Sequence, residues 1–148
     1  MIKNRNGKKM SEREMSKYFV ELEKEIMGKN TFALHNGVEI TYVGNDCAEG
    51  RLTLTEKSMN PYGIAHGGVY FTLADVTAAF AARSDGKMYV TNQGNMYFLK
   101  ATKAGVLHSK AKVVKRGKSI CVVESRIYDE KERIVFDSTF SLFCLDNK

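Results

Sequence analysis

The segment NPYGIAHGGVYFTLADVTAAFAARSDG, residues 60–86, carries one aspartate, Asp75, inside a run of apolar and small residues with no other charge before Arg83. Residues three and four positions apart share a helix face. For Asp75 these neighbours are Phe71, Thr72, Ala78 and Ala79, none of them charged. Aspartate suits a helix interior poorly, because its side chain competes for backbone hydrogen bonds. A carboxylate in that place either bonds locally, with Thr72 or a loop amide, or lines a cavity. In an apolar wall, desolvation raises its pKa toward that of a useful general base.

The start of the same run offers a complementary group. His66-Gly67-Gly68 places two glycines where first-turn amides have no intrahelical acceptor. Without a Cβ, a ligand oxygen can approach those N–H groups closely, and the helix dipole favours negative charge there. The plainer reading is that the glycines only permit a sharp turn into the helix. Gly67 and Asp75 are separated by about 12 Å of helix rise. One copy's helix start therefore cannot easily meet its own carboxylate, whereas a neighbouring copy's can. A lone histidine at a helix start, as His66 is, reads as a hydrogen-bonded cap before it reads as a metal ligand or a base.

The elements that must position these groups follow from periodicity. Ser11 and Glu14 form a capping-box pattern, and Met15, Phe19, Leu22 and Ile26 recur at helical spacing. Gly28 is the expected stop of this helix. GVEITYVG and AEGRLTLTE alternate as strands. The single proline, Pro61, marks a loop before the apolar helix expected from about Gly67 to Arg83. Four strand-like segments follow, KMYVTNQGNMYFL, GVLHSKAKVVK, SICVVESRIYD and RIVFDSTFSLFCL, joined by KATKAG, RGK and DEKE. Such short turns predict an antiparallel meander. A helix that is apolar all round must be covered all round. The expectation is an α+β domain whose curved antiparallel sheet of about six strands wraps one long helix, with an outer N-terminal helix and a second copy covering the remaining face.

Composition bounds the alternatives. The 148 residues suit one domain, and 43% apolar and 27% charged residues suit a soluble globular one. Residues 1–10 read as a disordered basic leader and 11–148 as a single domain. The leader lacks the apolar stretch of a secretory signal, and no window is apolar enough to span a bilayer, so the reading is cytoplasmic, without a membrane partner. Cys47, Cys121 and Cys144 are scattered, as are His35, His66 and His108. Neither a disulfide framework nor a metal site is expected. The net charge of +6 invites an anionic partner. Nucleic acid is disfavoured because no basic stripe is interleaved with aromatics.

NPYGIAHGGVYFTLAD, with Asn60, Gly63, His66, Gly67, Gly68, Leu73, Ala74 and Asp75 at the family spacing, resembles the PaaI-like hotdog-fold acyl-CoA thioesterases over roughly residues 30–145. The resemblance implies a hotdog fold and hydrolysis of an aryl- or short/medium-chain acyl-CoA to a carboxylic acid and free CoA. Asp75 would act as general base or as nucleophile, and the Gly67 amide would hold the oxyanion. Asn60 would orient water or the carbonyl, His66 would fix the loop, and Thr91 would place the water, with Gly68 and Asn92 beside the substrate. The helix start and the carboxylate would come from different subunits of a dimer or dimer of dimers. No cofactor is implied beyond the CoA of the substrate, whose phosphates could meet Lys100, Lys115, Arg116 and Lys118 in turns or at strand ends. Where the family often has a basic residue followed by proline, this chain has Lys100-Ala101. A non-catalytic acyl-CoA-binding hotdog protein is the alternative. A hydratase on the same fold would be expected to pair a histidine with the acid. Tyr62, Tyr70, Phe71, Phe80 and Tyr89 are candidates for an aryl pocket, although aromatics at such spacings are more often core.

Overall fold

A computed structural model describes residues 7–146. Residues 1–6 of the expected leader, and 147–148, lie outside the described residues. Within it, Met10 is partly buried against the core.

Helix α1, Glu12–Lys29, begins with the expected capping box: the Glu14 N–H donates to Ser11 Oγ at 3.3 Å, and the Ser11 N–H to Glu14 Oε2 at 2.7 Å. Gly28 does not stop it. The helix runs one residue further and ends at Asn30, whose Oδ1 accepts the Ala33 N–H at 3.1 Å and so starts a short second helix, α2, Thr31–His35. A mid-helix glycine costs only about 1 kcal/mol relative to alanine, whereas an asparagine serving both helices satisfies amides that would otherwise be bare.

Strands β1 (Val38–Gly44) and β2 (Cys47–Thr53) form a hairpin. Helix α3, Gly67–Arg83, follows, then β3 (Tyr89–Phe98), β4 (Val106–Arg116), β5 (Ile120–Tyr128) and β6 (Ile134–Cys144). All pairings are antiparallel, in the order β1-β2-β4-β5-β6-β3. The expected meander therefore covers β4 to β6 only. β3 lies at the edge beside β6, and the KATKAG segment is a crossover instead of a hairpin turn. Three strand spacings are about 14 Å and six extended residues reach about 20 Å, so the crossing is within range. The crossover is held on the way: the Ala65 N–H donates to the Thr102 carbonyl and the Leu54 N–H to that of Gly105, at 2.8 and 2.9 Å.

The sheet curves around α3, which buries 11 of its 17 residues. Leu73, Ala74, Ala78, Phe80, Ala81 and Ala82 meet Leu52, Leu107, Val123, Ile127, Phe136, Phe140 and Leu142 in one core. The helix is also bolted to the sheet by polar bonds: Thr77 Oγ1 shares a hydrogen bond with Ser109 Oγ, and Ser125 Oγ donates to the Ala74 carbonyl at 3.0 Å. One stripe of α3 stays open, through Gly68, Phe71, Asp75 and Ala79. β3 beside it is exposed at most positions, including Val90, Tyr97 and Phe98. This is the hotdog architecture, with one face of α3 and the β3 edge of the sheet uncovered.

Candidate active site

Asp75 lies half-buried on the open stripe of α3. Its partner is not Thr72, whose hydroxyl donates to the Gly68 carbonyl at 2.7 Å, but Thr91 of β3: Thr91 Oγ1 donates to Asp75 Oδ1 at 2.6 Å. Burial pushes the Asp75 carboxyl above its ordinary range, and the Thr91 hydrogen bond and then the charge of Arg83 offset part of that rise. Desolvation wins, leaving a carboxylate more basic than a solvated one.

A β-bulge accompanies this contact. Thr91 pairs with Leu142 and Gln93 with Ser141, so Asn92 is the extra residue. Bulges re-aim side chains and are frequent beside active sites. Here the bulge turns Gly94, instead of a side-chain-bearing neighbour, toward the core. A Cβ on Gly94 would stand 2.9 Å from the Phe140 ring.

At the other end of the stripe, His66 is the N-cap of α3. Its Nδ1 accepts the Gly68 N–H at 2.9 Å, which puts the ring proton on Nε2. The Val69 N–H is taken by the His66 carbonyl. Among the described residues, no acceptor meets the Gly67 N–H. The two glycines thus differ: the amide of Gly68 is occupied and that of Gly67 is open. The Phe98 ring closes over Gly67, where a Cβ would lie 3.2 Å from Cε1. The loop before the helix is tied by Asn60, whose Oδ1 accepts from Tyr62 N–H at 2.9 Å and Ile64 N–H at 3.3 Å. The His66 N–H reaches the Ser58 carbonyl at 2.8 Å. Asn60 therefore holds the loop through its oxygen.

Of the basic residues, Lys100 follows β3 at the α3 N-terminal end, while Lys115 and Lys118 flank the β4–β5 turn at the other end. Within one chain they do not converge. Arg116 is committed elsewhere, at the end of β4. Its guanidinium binds Asp46 at 2.7 Å and Asp85 at 2.9 Å, donates to the Ala82 carbonyl and to Tyr89 Oη, and stacks over the Tyr89 ring. This cluster ties the end of α3 to the start of β3. Of the aryl-pocket candidates, Phe80 is core, Tyr70 stacks on Phe136, and Tyr89 belongs to the Arg116 cluster. Tyr62 is on an exposed loop, and Phe71 alone opens beside Asp75.

Arg83 escaped sequence reasoning, since a basic residue in a last helical turn reads as a dipole complement. Its Nη2 donates to the Tyr89 carbonyl at 3.1 Å, two residues before Thr91. Asp75 does not line either of two surface clefts of the described residues. The cleft of about 500 Å³ between α1 and β1, lined by Met15, Phe19, Ile40 and Tyr42, is elsewhere. Among the described residues, no helix is long and apolar enough to cross a membrane, and no three His, Cys, Asp or Glu side chains are grouped to hold a metal ion.

Residues 62–136 match the thioesterase superfamily. A 1,4-dihydroxy-2-naphthoyl-CoA hydrolase of Listeria monocytogenes is 32% identical over 102 residues, covering 67% of this chain and 83% of its own. The acyl-coenzyme A thioesterase PaaI of Escherichia coli is 30% identical over 100 residues, covering 67% and 71%. A hypothetical thioesterase of Streptococcus pneumoniae, solved with coenzyme A, is 30% identical with a TM-score of 0.76, covering 82% of this chain and 95% of that one. Two variant structures from Streptococcus pneumoniae, each 32% identical with a TM-score of 0.70 over 73% of this chain, replace with alanine an aspartate and a threonine that are 16 residues apart, the separation of Asp75 and Thr91 here. With an open helix-start amide and a desolvated carboxylate on one helix, the chain belongs to the thioesterase superfamily, as a PaaI-like thioester hydrolase of hotdog fold.

Proposed function

We propose that this chain hydrolyses an aryl- or short/medium-chain acyl-CoA thioester to the carboxylic acid and free CoA, at sites shared between two copies. The observation that carries this is Asp75, desolvated and bonded by Thr91 at 2.6 Å, on a helix face that a single chain leaves open. Two copies joined antiparallel along the exposed edge of β3 would bring the Asp75 stripe of one beside the Gly67 amide of the other. Joining there would also cover Val90, Tyr97 and Phe98 and pair the bare main-chain groups of the edge.

In that site the thioester carbonyl oxygen takes the Gly67 N–H, which stabilises the developing oxyanion by about 3–4 kcal/mol. Thr91 occupies Asp75 Oδ1, leaving Oδ2 to take a proton from water as the water oxygen attacks the carbonyl carbon. Collapse of the tetrahedral intermediate breaks the C–S bond, and the proton leaves on the thiol. His66 and Asn60 hold the loop and helix start, and Gly68 and Asn92 border the substrate. Lys100, Lys115 and Lys118 are the cations available for the CoA phosphates. In an antiparallel pair, the Lys100 end of one copy lies toward the Lys115 end of the other. The internal engagement of Arg116 removes it from that group.

Thiol release across a panel of acyl-CoAs tests the reaction. Asp75→Asn is expected to lower kcat by about 10²–10⁴-fold, and unchanged turnover would overturn the mechanism. Ligand binding with no turnover of any thioester would instead favour the non-catalytic alternative. A single turnover in H₂¹⁸O probes the role of Asp75: the base mechanism places ¹⁸O in the first acid released, so a first acid without ¹⁸O would show an Asp75–acyl anhydride that water opens at the Asp75 carbonyl. Co-expression of Asp75→Asn with Gly67→Val tests the shared site. Mixed dimers regain one intact site if the groups come from different copies, and none if they come from the same one.

A further inference from the structure

Arg83 is not used in the proposed chemistry, yet three observations single it out. Its Nη2 holds the Tyr89 carbonyl at 3.1 Å. Its Nε is buried with no hydrogen-bond partner among the described residues. Side chains on a helix lean toward its N-terminus, so the guanidinium reaches back along α3 from a position two turns beyond Asp75. The two elements it joins are the two that build the Asp75–Thr91 contact. The contact therefore has a second fastening two residues along β3, an edge strand that pairs on one side only, with β6.

We propose that Arg83 is a positioning residue for the Asp75–Thr91 pair: by gripping the Tyr89 carbonyl it fixes the start of β3 on α3 so that the Thr91 hydroxyl reaches Asp75, and its positive charge acts on that carboxyl. This inference rests on Asp75 being the group that activates water in thioester hydrolysis. The surroundings leave the role to Arg83. The residues that β3 and β6 turn toward α3 here, Thr91, Gly94, Met96 and Phe140, carry no charge; β4 and β5 meet α3 through the hydroxyls of Ser109 and Ser125, and β4 also brings Arg116 to the Ala82 carbonyl, where it is paired with Asp46 and Asp85. The Arg83 charge also opposes the upward effect of burial on Asp75, and Asp75 in turn partly offsets the downward effect of burial on Arg83.

Three variants separate the two parts. Arg83→Met is expected to lower kcat tenfold or more while leaving KM within about twofold, the pattern of a misplaced catalytic group. It should also move the acid limb of the pH–rate profile to higher pH. Arg83→Gln keeps a donor for the Tyr89 carbonyl without the charge, so it should retain more of kcat and still show the moved limb. Arg83→Lys should restore both. A ¹³C NMR titration of the Asp75 carboxyl in the substrate-free protein reads the same displacement without turnover. If Arg83→Met titrates and turns over as the parent does, or merely melts earlier with an unmoved titration, the proposal is overturned. If the parent hydrolyses no thioester yet the carboxyl titration moves in Arg83→Met, the electrostatic part stands and the reaction assignment fails.

Discussion

Replacing Thr91 with valine removes one hydroxyl and little volume, which isolates the 2.6 Å bond to Asp75 Oδ1. A hydrogen bond to a charged acceptor is worth about 1.5–3 kcal/mol. If that bond orients the carboxylate in the reacting complex, its loss converts at about 1.4 kcal/mol per decade to a 10–100-fold fall in kcat/KM on the alkaline plateau. The bond favours the charged form of Asp75, so without it the carboxyl pKa moves further up and the acid limb of the profile follows. Thr91→Ser keeps the donor and is expected to lie near the parent. Because Thr91 is at an exposed edge, the stability loss should stay within about 1 kcal/mol and fade as pH falls through the Asp75 titration. A thiol-release profile over pH with a thermal melt at each point measures all of this. A valine variant with parental plateau and parental limb would refute the reasoning, because the bond would then neither orient nor bias the carboxylate.

Asp75→Asn should stabilise the protein while disabling it. Burial raises the folded-state pKa above its ordinary value of 3.8, so between the two values the native state retains a proton that the unfolded chain has released. Stability then falls as pH rises through that window. The amide has no charge to bury, so its advantage should be full at pH 8 and shrink toward pH 3.8; a lower melting temperature than the parent at pH 8 would contradict this. Gly50→Ala tests the bolt between α3 and β4: the added Cβ would stand 2.8 Å from both Ser109 Oγ and Thr77 Oγ1. Overpacking that site should cost about 2 kcal/mol, lowering the melting temperature by several degrees, and a parental melt would show that the bolt yields freely.

Local signals were sufficient for much of this protein. The capping box of α1 is visible because its two bonds join residues three apart. The apolar run of α3, the glycines at its start and the odd carboxylate in its middle are also neighbours in sequence, so their types and spacing indicated a helix with chemistry at its start and at its middle. What could not be read was anything set by pairing between distant strands. Periodicity reports which face of a strand is buried and not which strand lies beside it, so β3 looked like the first strand of a meander when it is the edge beside β6. That placement alone brings Thr91 to Asp75 and Arg83 to the Tyr89 carbonyl. It also separates Lys100 from Lys115 and draws Arg116 into a carboxylate cluster. Residue types and spacing along the chain specified the chemical groups. Strand order and register decided which of them meet, because those contacts span distances along the chain over which no local preference acts.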